Sequence, residues 1–246
     1  MIKKTIIVTG GFGTIGSVLS NSLLKQGHKV IAVDTKLKKL KFINSNFIPL
    51  KANLNKENEI KKLISICIKR FKKVDALVHC AYPKTKDWGT SFEKLKQKSL
   101  EKNLSNNLGA SIILSKLVIK QFLKQKNGNL IFFSSIYGSS IPNFSDYPKN
   151  KIYSPIEYSA IKSGIISITK YLAKLYKKKN IRINCISPGG LNDKQANSFK
   201  KKYKQHCNSK GLLEANDLIG LVEFLINDQS KTINGQNITI DDGWSL

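Results

Sequence analysis

Apolar runs bounded by turn residues alternate along the chain with longer segments in which apolar residues recur every three or four positions. The short runs predict buried strands, and the longer pattern predicts helices. A regular alternation of the two is typical of an α/β fold with a doubly wound, mostly parallel sheet and helices on both faces. Seven strands are predicted, at residues 3–9, 29–34, 47–51, 74–80, 129–134, 181–186 and 237–240, and four helical regions, at 14–26, 57–71, 92–124 and 155–178.

No repeat, low-complexity tract or linker interrupts this pattern, so the 246 residues are expected to form one domain, 1–246. No apolar run is long enough to span a membrane, and the first residues lead into a strand without a signal-peptide pattern. The four cysteines lack Cys-x-x-Cys spacing and are interpreted as reduced thiols. We therefore expect a cytoplasmic protein with no metal site and no membrane partner.

The chain is strongly basic, with a formal net charge of +26 from 42 lysines and arginines against 16 acidic residues. Arg70 and Arg182 are its only arginines, whereas nucleic-acid surfaces favour arginine for phosphate and base contacts. The lysines are spread along the whole chain rather than in one stripe. Because Lys, Asn and Ile together are what AT-rich codons supply, genome composition explains the charge better than nucleic-acid binding.

A glycine-rich stretch, "IIVTGGFGTIG", places the spacing Gly11-x-Gly13-x-x-Gly16 between the first strand and the first helix. Such a loop lets the backbone approach a pyrophosphate at a helix N-terminus, and the context is that of a dinucleotide-binding Rossmann domain. Asp34 ends the second strand, where a carboxylate would accept the adenosine ribose hydroxyls and repel a 2′-phosphate. NAD(H) is therefore favoured over NADP(H), although Lys36 lies close and leaves NADP(H) as the alternative.

Tyr158 and Lys162 share a face of a predicted helix because they are one turn apart. A nearby ammonium and a cationic nicotinamide would favour the phenolate and adjust Tyr158 for acid–base chemistry. Such a pair is common by chance, but Ser134 and Ser135 end the fifth strand on the side where open α/β sheets bind ligands. These positions together predict a catalytic site.

The chain resembles the short-chain dehydrogenase/reductase family along essentially its whole length, and in detail a subgroup associated with flagellin modification and acidic-sugar biosynthesis. This resemblance implies an NAD(P)-dependent enzyme that interconverts an alcohol and a ketone, acts on a small molecule and forms a homodimer or homotetramer. The motifs that carry it are the glycine loop, Asn106-Asn107-Leu108-Gly109, Ser134-Ser135, Tyr158-Ser159-Ala160-Ile161-Lys162, Asn184-Cys185-Ile186-Ser187-Pro188-Gly189 and Asp241-Asp242-Gly243.

The resemblance also implies a role for individual residues. Ser135 would bind the substrate oxygen, Tyr158 would donate or accept the proton, and Lys162 would bind the nicotinamide ribose and lower the tyrosine pKa. Asn106 would hold a water in a proton relay to the lysine. The cofactor would be bound by Gly10, Gly13, Thr14, Ile15, Gly16, Asp34, Asn53, Leu54, Cys80, Ala81, Tyr158, Lys162, Pro188 and Gly189.

Three positions depart from the family pattern, all on the cofactor side. Thr14 stands where many members have glycine, Cys80-Ala81-Tyr82 replaces the usual Asn-Ala-Gly, and Asn53-Leu54 stands where an aspartate is usual. These departures affect contacts to the cofactor and remove no catalytic group.

Two irregular segments are expected to bind the substrate. The loop at about 139–154 lengthens the connection between the catalytic serine and tyrosine, and the resemblance makes about 191–213 a substrate lid. Because lysines cluster at 194–204, an anionic, polyhydroxylated substrate is predicted. His79 and His206 are interpreted as ordinary polar residues, since no metal partners cluster around them.

The sequence therefore predicts an oxidoreductase acting on a sugar or sugar nucleotide, in surface polysaccharide or flagellin glycan biosynthesis. A 3-oxoacyl-thioester reductase is the alternative enzyme, since the same fold serves that reaction. A nucleotide-sensing protein without activity is disfavoured by the intact serine, tyrosine, lysine and asparagine.

Overall fold

The computed structural model describes residues 2–37, 45–147, 154–193 and 195–246. Its seven strands are β1 (Thr5–Thr9), β2 (Lys29–Asp34), β3 (Phe47–Lys51), β4 (Ala76–His79), β5 (Gly128–Phe133), β6 (Ile181–Pro188) and β7 (Asn237–Ile240). They form one sheet in the order β3-β2-β1-β4-β5-β6-β7, and every neighbouring pair is parallel. The predicted doubly wound α/β fold is confirmed.

Helices cover both faces of the sheet because each central strand is apolar on both sides. In β1, Ile7 belongs to one core, whereas Ile6 and Val8 belong to the other, as the two-residue period of a strand requires. The helices are α1 (Thr14–Lys25), α2 (Glu57–Phe71), α3 (Gln97–Leu104), α4 (Ala110–Gln125), α5 (Ile156–Leu175), α6 (Asn197–Gln205) and α7 (Ile219–Ile226). The Ile7 core packs under α2, α4 and α5, and the other core under α1 and α7.

The predicted helical region 92–124 is not one continuous α-helix. It comprises a 3₁₀ turn at Phe92–Lys94, then α3, a π-turn at Ser105–Gly109 and α4. Within the π-turn, the Asn107 amide nitrogen donates to the carbonyls of Asn103 and Pro83 at 2.9 and 3.0 Å. The side chain thereby satisfies a backbone carbonyl at the irregularity, and π-turns of this kind are frequent at functional sites.

The start of α5 differs from the predicted capping box at Ser154–Glu157. Pro155 is the N-cap residue, and no side chain caps the helix there. Glu157 is buried instead and accepts a hydrogen bond from the Asn103 amide at 3.2 Å. Tertiary contact between α3 and α5 therefore replaces the local capping interaction.

The sequence pattern did not predict α6 and α7. α6 is rich in lysine and buries only Phe199 and Tyr203, so its periodic signal is weak. α7 is apolar almost throughout, and a short continuous apolar run does not distinguish a helix from a strand. Among the described residues, no helix is both long enough and apolar enough to cross a lipid bilayer.

Candidate active site

The carboxyl ends of the central strands border one cavity of about 1180 Å³. The strand order reverses between β1 and β4, and open α/β sheets bind ligands at such a switch point. Every residue predicted as catalytic or cofactor-binding lines this cavity: Gly10, Gly13, Thr14, Ile15, Gly16, Asp34, Asn53, Leu54, Cys80, Ala81, Asn106, Ser135, Tyr158, Lys162, Pro188 and Gly189.

The glycine loop is held in place by close backbone packing. Gly10 has a φ of 63°, and a Cβ there would lie 2.9 Å from the Ala81 backbone. A Cβ on Gly16 would lie 2.1 Å from the Gly10 carbonyl oxygen. Because α1 begins at Thr14 directly after the loop, its unpaired N–H groups border the cavity and offer a site for a phosphate.

Asp34 is oriented by backbone donors at the end of the cavity beyond the glycine loop. Its carboxylate accepts hydrogen bonds from the Phe12 N–H at 3.2 Å and from the Thr35 N–H at 2.8 Å. Lys36 is exposed and does not line the cavity, although it is only two residues away. Among the described residues, the charged group on the cavity wall at this end is thus a carboxylate.

Two of the three departures from the family pattern, at Cys80-Ala81 and at Asn53, still line the cavity in hydrogen-bonded turns. The Cys80 N–H donates to the Thr9 carbonyl at 3.2 Å, and the Ala81 N–H lies 3.4 Å from the Thr9 hydroxyl, so this turn remains tied to β1. The Asn53 side chain accepts from the Asn55 N–H at 3.0 Å and faces the cavity from a local turn. With the preformed glycine loop, these walls fit a nicotinamide dinucleotide.

Ser135, Tyr158 and Lys162 converge in the same cavity as the glycine loop. The Ser135 hydroxyl accepts from the Tyr137 N–H at 3.2 Å and hydrogen-bonds the phenol of Tyr158. The Lys162 ammonium donates to the Phe133 carbonyl at 2.9 Å and lies 5.5 Å from the centroid of the Tyr158 ring. A serine at the end of β5 and two residues of α5 are thereby brought to one point.

The protonation states in this part of the cavity are set mainly by burial. Burial lowers the pKa of Lys162 to about 8 and raises the pKa of Tyr158, although the hydrogen bond with Ser135 opposes that rise. The expected lowering of the Tyr158 pKa is therefore not a property of the protein alone. It requires additional positive charge beside the ring, and the predicted nicotinamide would carry such a charge in its oxidised form.

Asn106 lies in the π-turn and lines the cavity, whereas its neighbour Asn107 is buried. The Ser111 hydroxyl donates to the Asn107 carbonyl at 2.6 Å and lies 3.0 Å from His79, which in turn contacts Thr9 at 2.7 Å. Burial lowers the pKa of His79 to about 3, so the ring is neutral at pH 7. This polar chain fixes the π-turn against β1 and β4 behind the catalytic residues.

Beyond the catalytic residues the cavity has an aromatic wall that the sequence did not predict. The Tyr158 ring packs edge-on against Tyr82 at 5.2 Å and Trp88 at 6.1 Å, measured between ring centroids. Lys84 lies between these two residues in sequence and places its ammonium 3.7 Å from the centroid of the Trp88 ring. The aromatic wall consists of Tyr82, Trp88, Tyr137, Tyr147, Phe199 and Tyr203.

The segment 190–213, which contains α6, is held against the sheet by the C-terminal residues. The Tyr203 hydroxyl accepts from the Gly190 N–H at 2.7 Å, and its ring stacks on Trp244 at 5.7 Å. The Asp242 carboxylate accepts from backbone N–H groups at positions 209–211. The predicted lid is thus a packed wall of the cavity in this structure.

The described lysines of this segment do not line the cavity. Lys200 donates to the Asn192 side chain at 2.7 Å, and neither it nor Lys201 lines the cavity. Lys194 lies outside the described residues, as does the central part of the predicted loop, 148–153. His206 pairs with Asp146 at 3.1 Å and so connects α6 to the described part of that loop. Over the described residues, no group of three potential metal ligands comes together.

Comparisons with known proteins agree with this geometry. A family model described as short chain dehydrogenase matches residues 4–204. Post-translational flagellin modification protein A of Campylobacter coli is 34% identical over 99% of this chain and 99% of its own length. The 3-oxoacyl-[acyl-carrier-protein] reductase FabG of Rickettsia typhi is 29% identical over 98% of this chain and 96% of its own.

A solved structure with a bound cofactor is similar over nearly the whole chain. It is a crystal structure of a short chain dehydrogenase from Leptospira borgpetersenii with bound NAD+. The two chains are 31% identical with a TM-score of 0.91, and the match covers 99% of this chain and 93% of the other.

Proposed function

We propose that this chain, which belongs to the short-chain dehydrogenase family and is an NAD(P)-dependent oxidoreductase, interconverts an alcohol and a ketone on a sugar or sugar nucleotide. The observation that carries the reaction is the convergence of Ser135, Tyr158 and Lys162 on the cavity that also holds the glycine loop. We further propose that the reaction belongs to the biosynthesis of a surface polysaccharide or a flagellin glycan.

In the proposed mechanism, the glycine loop, Asp34 and Lys162 would hold a nicotinamide cofactor, which would supply the chemistry of hydride transfer. The Ser135 hydroxyl holds the substrate oxygen, since its own position is fixed by the Tyr137 N–H. The phenol oxygen of Tyr158 gives its proton to the ketone oxygen or removes it from the alcohol. The Lys162 ammonium, buried beside that ring, stabilises the phenolate and binds ribose hydroxyls, and Asn106 holds a water that renews the proton.

The preferred cofactor is NAD(H). A 2′-phosphate beside Asp34 would meet a carboxylate already fixed by two backbone donors, a repulsion between like charges. Lys36, the described lysine nearest to Asp34 in sequence, lies off the cavity wall. The ribose hydroxyls of NAD(H), by contrast, are good donors to that carboxylate.

A sugar substrate is supported by the name of the flagellin modification relative and by the chemistry of the cavity wall. Aromatic faces with a few polar groups are typical of sites that bind a small ligand and fix its orientation. A 3-oxoacyl thioester is the second candidate, favoured by the acyl-carrier-protein reductase relative and by the large aromatic area of the same wall.

We also propose a cytoplasmic homodimer or homotetramer. All four cysteines are free, as expected in a reducing compartment. Several large apolar side chains on α4 and α5 are exposed, and such residues mark contact surfaces when they lie together. They are Ile112, Leu123, Ile156, Tyr171 and Leu175. Light scattering of the purified protein tests the assembly, and a monomer would contradict it.

The function is tested by following the nicotinamide absorbance band while sugars, sugar nucleotides and acetoacetyl thioesters are offered with NAD(H) and with NADP(H). We expect turnover of a sugar or sugar nucleotide with NAD(H). Turnover of the thioester alone would establish the second candidate in its place.

A further inference from the structure

We propose that Lys84, held over the ring of Trp88, binds an anionic group of the substrate, a carboxylate or a phosphate, while the aromatic wall contacts the sugar ring. This inference rests on the proposed function and assigns the charged end of the substrate to a specific place in the cavity. Lys84 is not one of the residues that the sequence predicted, and it takes no part in proton transfer.

The position of Lys84 is suited to this role. Its ammonium lies 3.7 Å from the centroid of the Trp88 ring, and that ring packs edge-on against Tyr158, whose phenol oxygen meets the reacting carbonyl. The cation, the indole and the catalytic phenol therefore follow one another along the same wall. A substrate with its reacting oxygen at Tyr158 would extend over Trp88 toward the ammonium.

The segment that carries Lys84 is fixed by side chains of α3 and the π-turn. The Pro83 carbonyl accepts from the Asn107 amide at 3.0 Å, and the Thr85 N–H donates to the Asn103 side chain at 3.2 Å. Two residues further along, the Asp87 carboxylate accepts from the Ser99 hydroxyl at 2.7 Å. The backbone on both sides of Lys84 is thus positioned before any ligand binds, which lowers the ordering cost of binding.

The charge distribution in the cavity favours Lys84 over the other lysines. Among the described residues that line the cavity, Lys84 and Lys162 are the only lysines or arginines. Lys162 is buried against the Phe133 carbonyl at the catalytic tyrosine, whereas Lys84 is exposed toward the cavity. Lys200, in the lysine cluster of the segment 190–213, is engaged with Asn192 away from the cavity.

Lys84 also lacks a close counter-ion in the described part of the chain, where the ion pairs involve other residues. Although the Lys84 side chain is exposed, partial desolvation lowers the pKa of its ammonium, and the carboxylate of Asp193, which also lines the cavity, opposes that effect. An ammonium that has lost part of its hydration without gaining an ion pair forms a strong charge-assisted hydrogen bond with an incoming anion.

The test is a binding titration of the NAD-loaded protein, followed by tryptophan fluorescence, with glucuronate, glucose 6-phosphate and neutral glucose as probes. Lys84→Gln removes the charge, Lys84→Arg retains it, and Lys86→Gln is the matched control, since Lys86 is exposed and lies off the cavity wall. We expect Lys84→Gln to raise the dissociation constant of at least one acid about tenfold or more, the scale of a lost hydrogen bond to a charged group. Glucose should be unaffected, and Lys86→Gln should bind like the wild type.

An effect confined to glucuronate identifies a carboxylate, and one confined to glucose 6-phosphate identifies a phosphate. Unchanged acid binding in Lys84→Gln overturns the assignment of Lys84 while the sugar proposal stands. Wild-type protein that binds neither acid better than glucose also overturns it. If no sugar binds and an acetoacetyl thioester is reduced, the proposed function itself fails.

Discussion

The two ends of the cavity are built from different kinds of structure. The cofactor end is formed by strand termini and the glycine loop, where backbone packing leaves no room for a Cβ at Gly16. The substrate end is formed by irregular segments around Lys84 and Tyr147 and by the short helix α6 with Tyr203, which side-chain hydrogen bonds and ring packing hold together. This difference indicates that the strand ends, the glycine loop and α5 fix the reaction, while the segments of the substrate end decide which molecule undergoes it.

Changing the catalytic tyrosine is expected to have the largest effect and to act on the reaction alone. Tyr158→Phe removes the proton donor, so turnover should fall by about 10²-fold or more, the usual scale for loss of general acid–base catalysis. The affinity for NAD+ should stay close to that of the wild type. Tyr176→Phe, which removes a phenol hydroxyl at the C-terminal end of the same helix and away from the cavity lining, is the control. Near-normal turnover of Tyr158→Phe would remove this residue from the mechanism.

The second prediction concerns the backbone cradle of the cofactor end. A Cβ added at Gly16 would meet the Gly10 carbonyl at 2.1 Å, so Gly16→Ala must displace the loop. We expect the affinity for NAD+ to fall about tenfold, since overpacking commonly costs about 1–3 kcal/mol. Gly220→Ala is the matched control, because nothing lies within 4 Å of its added Cβ. Equal affinities in the two variants would show that the cradle is not needed.

The third prediction uses the buried histidine behind the catalytic residues. Because burial holds the pKa of His79 at about 3, against an ordinary value of 6.5, the unfolded chain binds a proton between these values that the folded chain does not. This group therefore lowers the free energy of unfolding as the pH falls through that window, by about 1.4 kcal/mol per unit.

In His79→Gln this contribution is absent, so its stability should decline less steeply with falling pH than that of the wild type. Urea denaturation of both proteins at pH values spanning the window measures the two slopes. Parallel slopes would mean that His79 is protonated in the folded protein as readily as in the unfolded chain.

The smallest effect is expected from the lysines of α6. Lys200 and Lys201 do not line the cavity, so replacing both with glutamine should change the Michaelis constant of an acidic sugar by no more than about twofold, the scale of exposed charge pairs. Steady-state kinetics of this double variant beside Lys84→Gln checks the point. A larger effect from the double variant than from Lys84→Gln would place the anion at the α6 segment.

The sequence predicts the residues of the cofactor end better than those of the substrate end. The positions of Asp34 and the glycine loop follow from where a strand ends and a helix begins, and the strand and helix periods reveal both. The contact between Lys84 and Trp88 depends on Asn103 and Asn107, distant in sequence from the segment that they anchor. No local pattern encodes such a contact, although the sequence "CAYPKTKDW" does place a cation among aromatic residues beside a cofactor motif.

The lysine-rich segment at 194–204 is the opposite case. Its charge was visible in the sequence, but composition does not say toward which side a side chain extends. In α6 the buried residues are Phe199 and Tyr203, and their packing against the C-terminal Trp244 turns the lysines between them away from the cavity. Only the packing shows that Lys84, and not a lysine of α6, lines the cavity.

The central claim, that one end of the cavity fixes the reaction and the other the substrate, is tested most directly by the steady-state kinetics of two variants on the best acidic sugar. We predict that Tyr158→Phe lowers kcat with little change in KM. We predict that Lys84→Gln raises KM with little change in kcat, because the lost contact stabilises the bound substrate and the transition state equally. A loss of kcat in Lys84→Gln comparable to that in Tyr158→Phe, with KM unchanged, would contradict the claim.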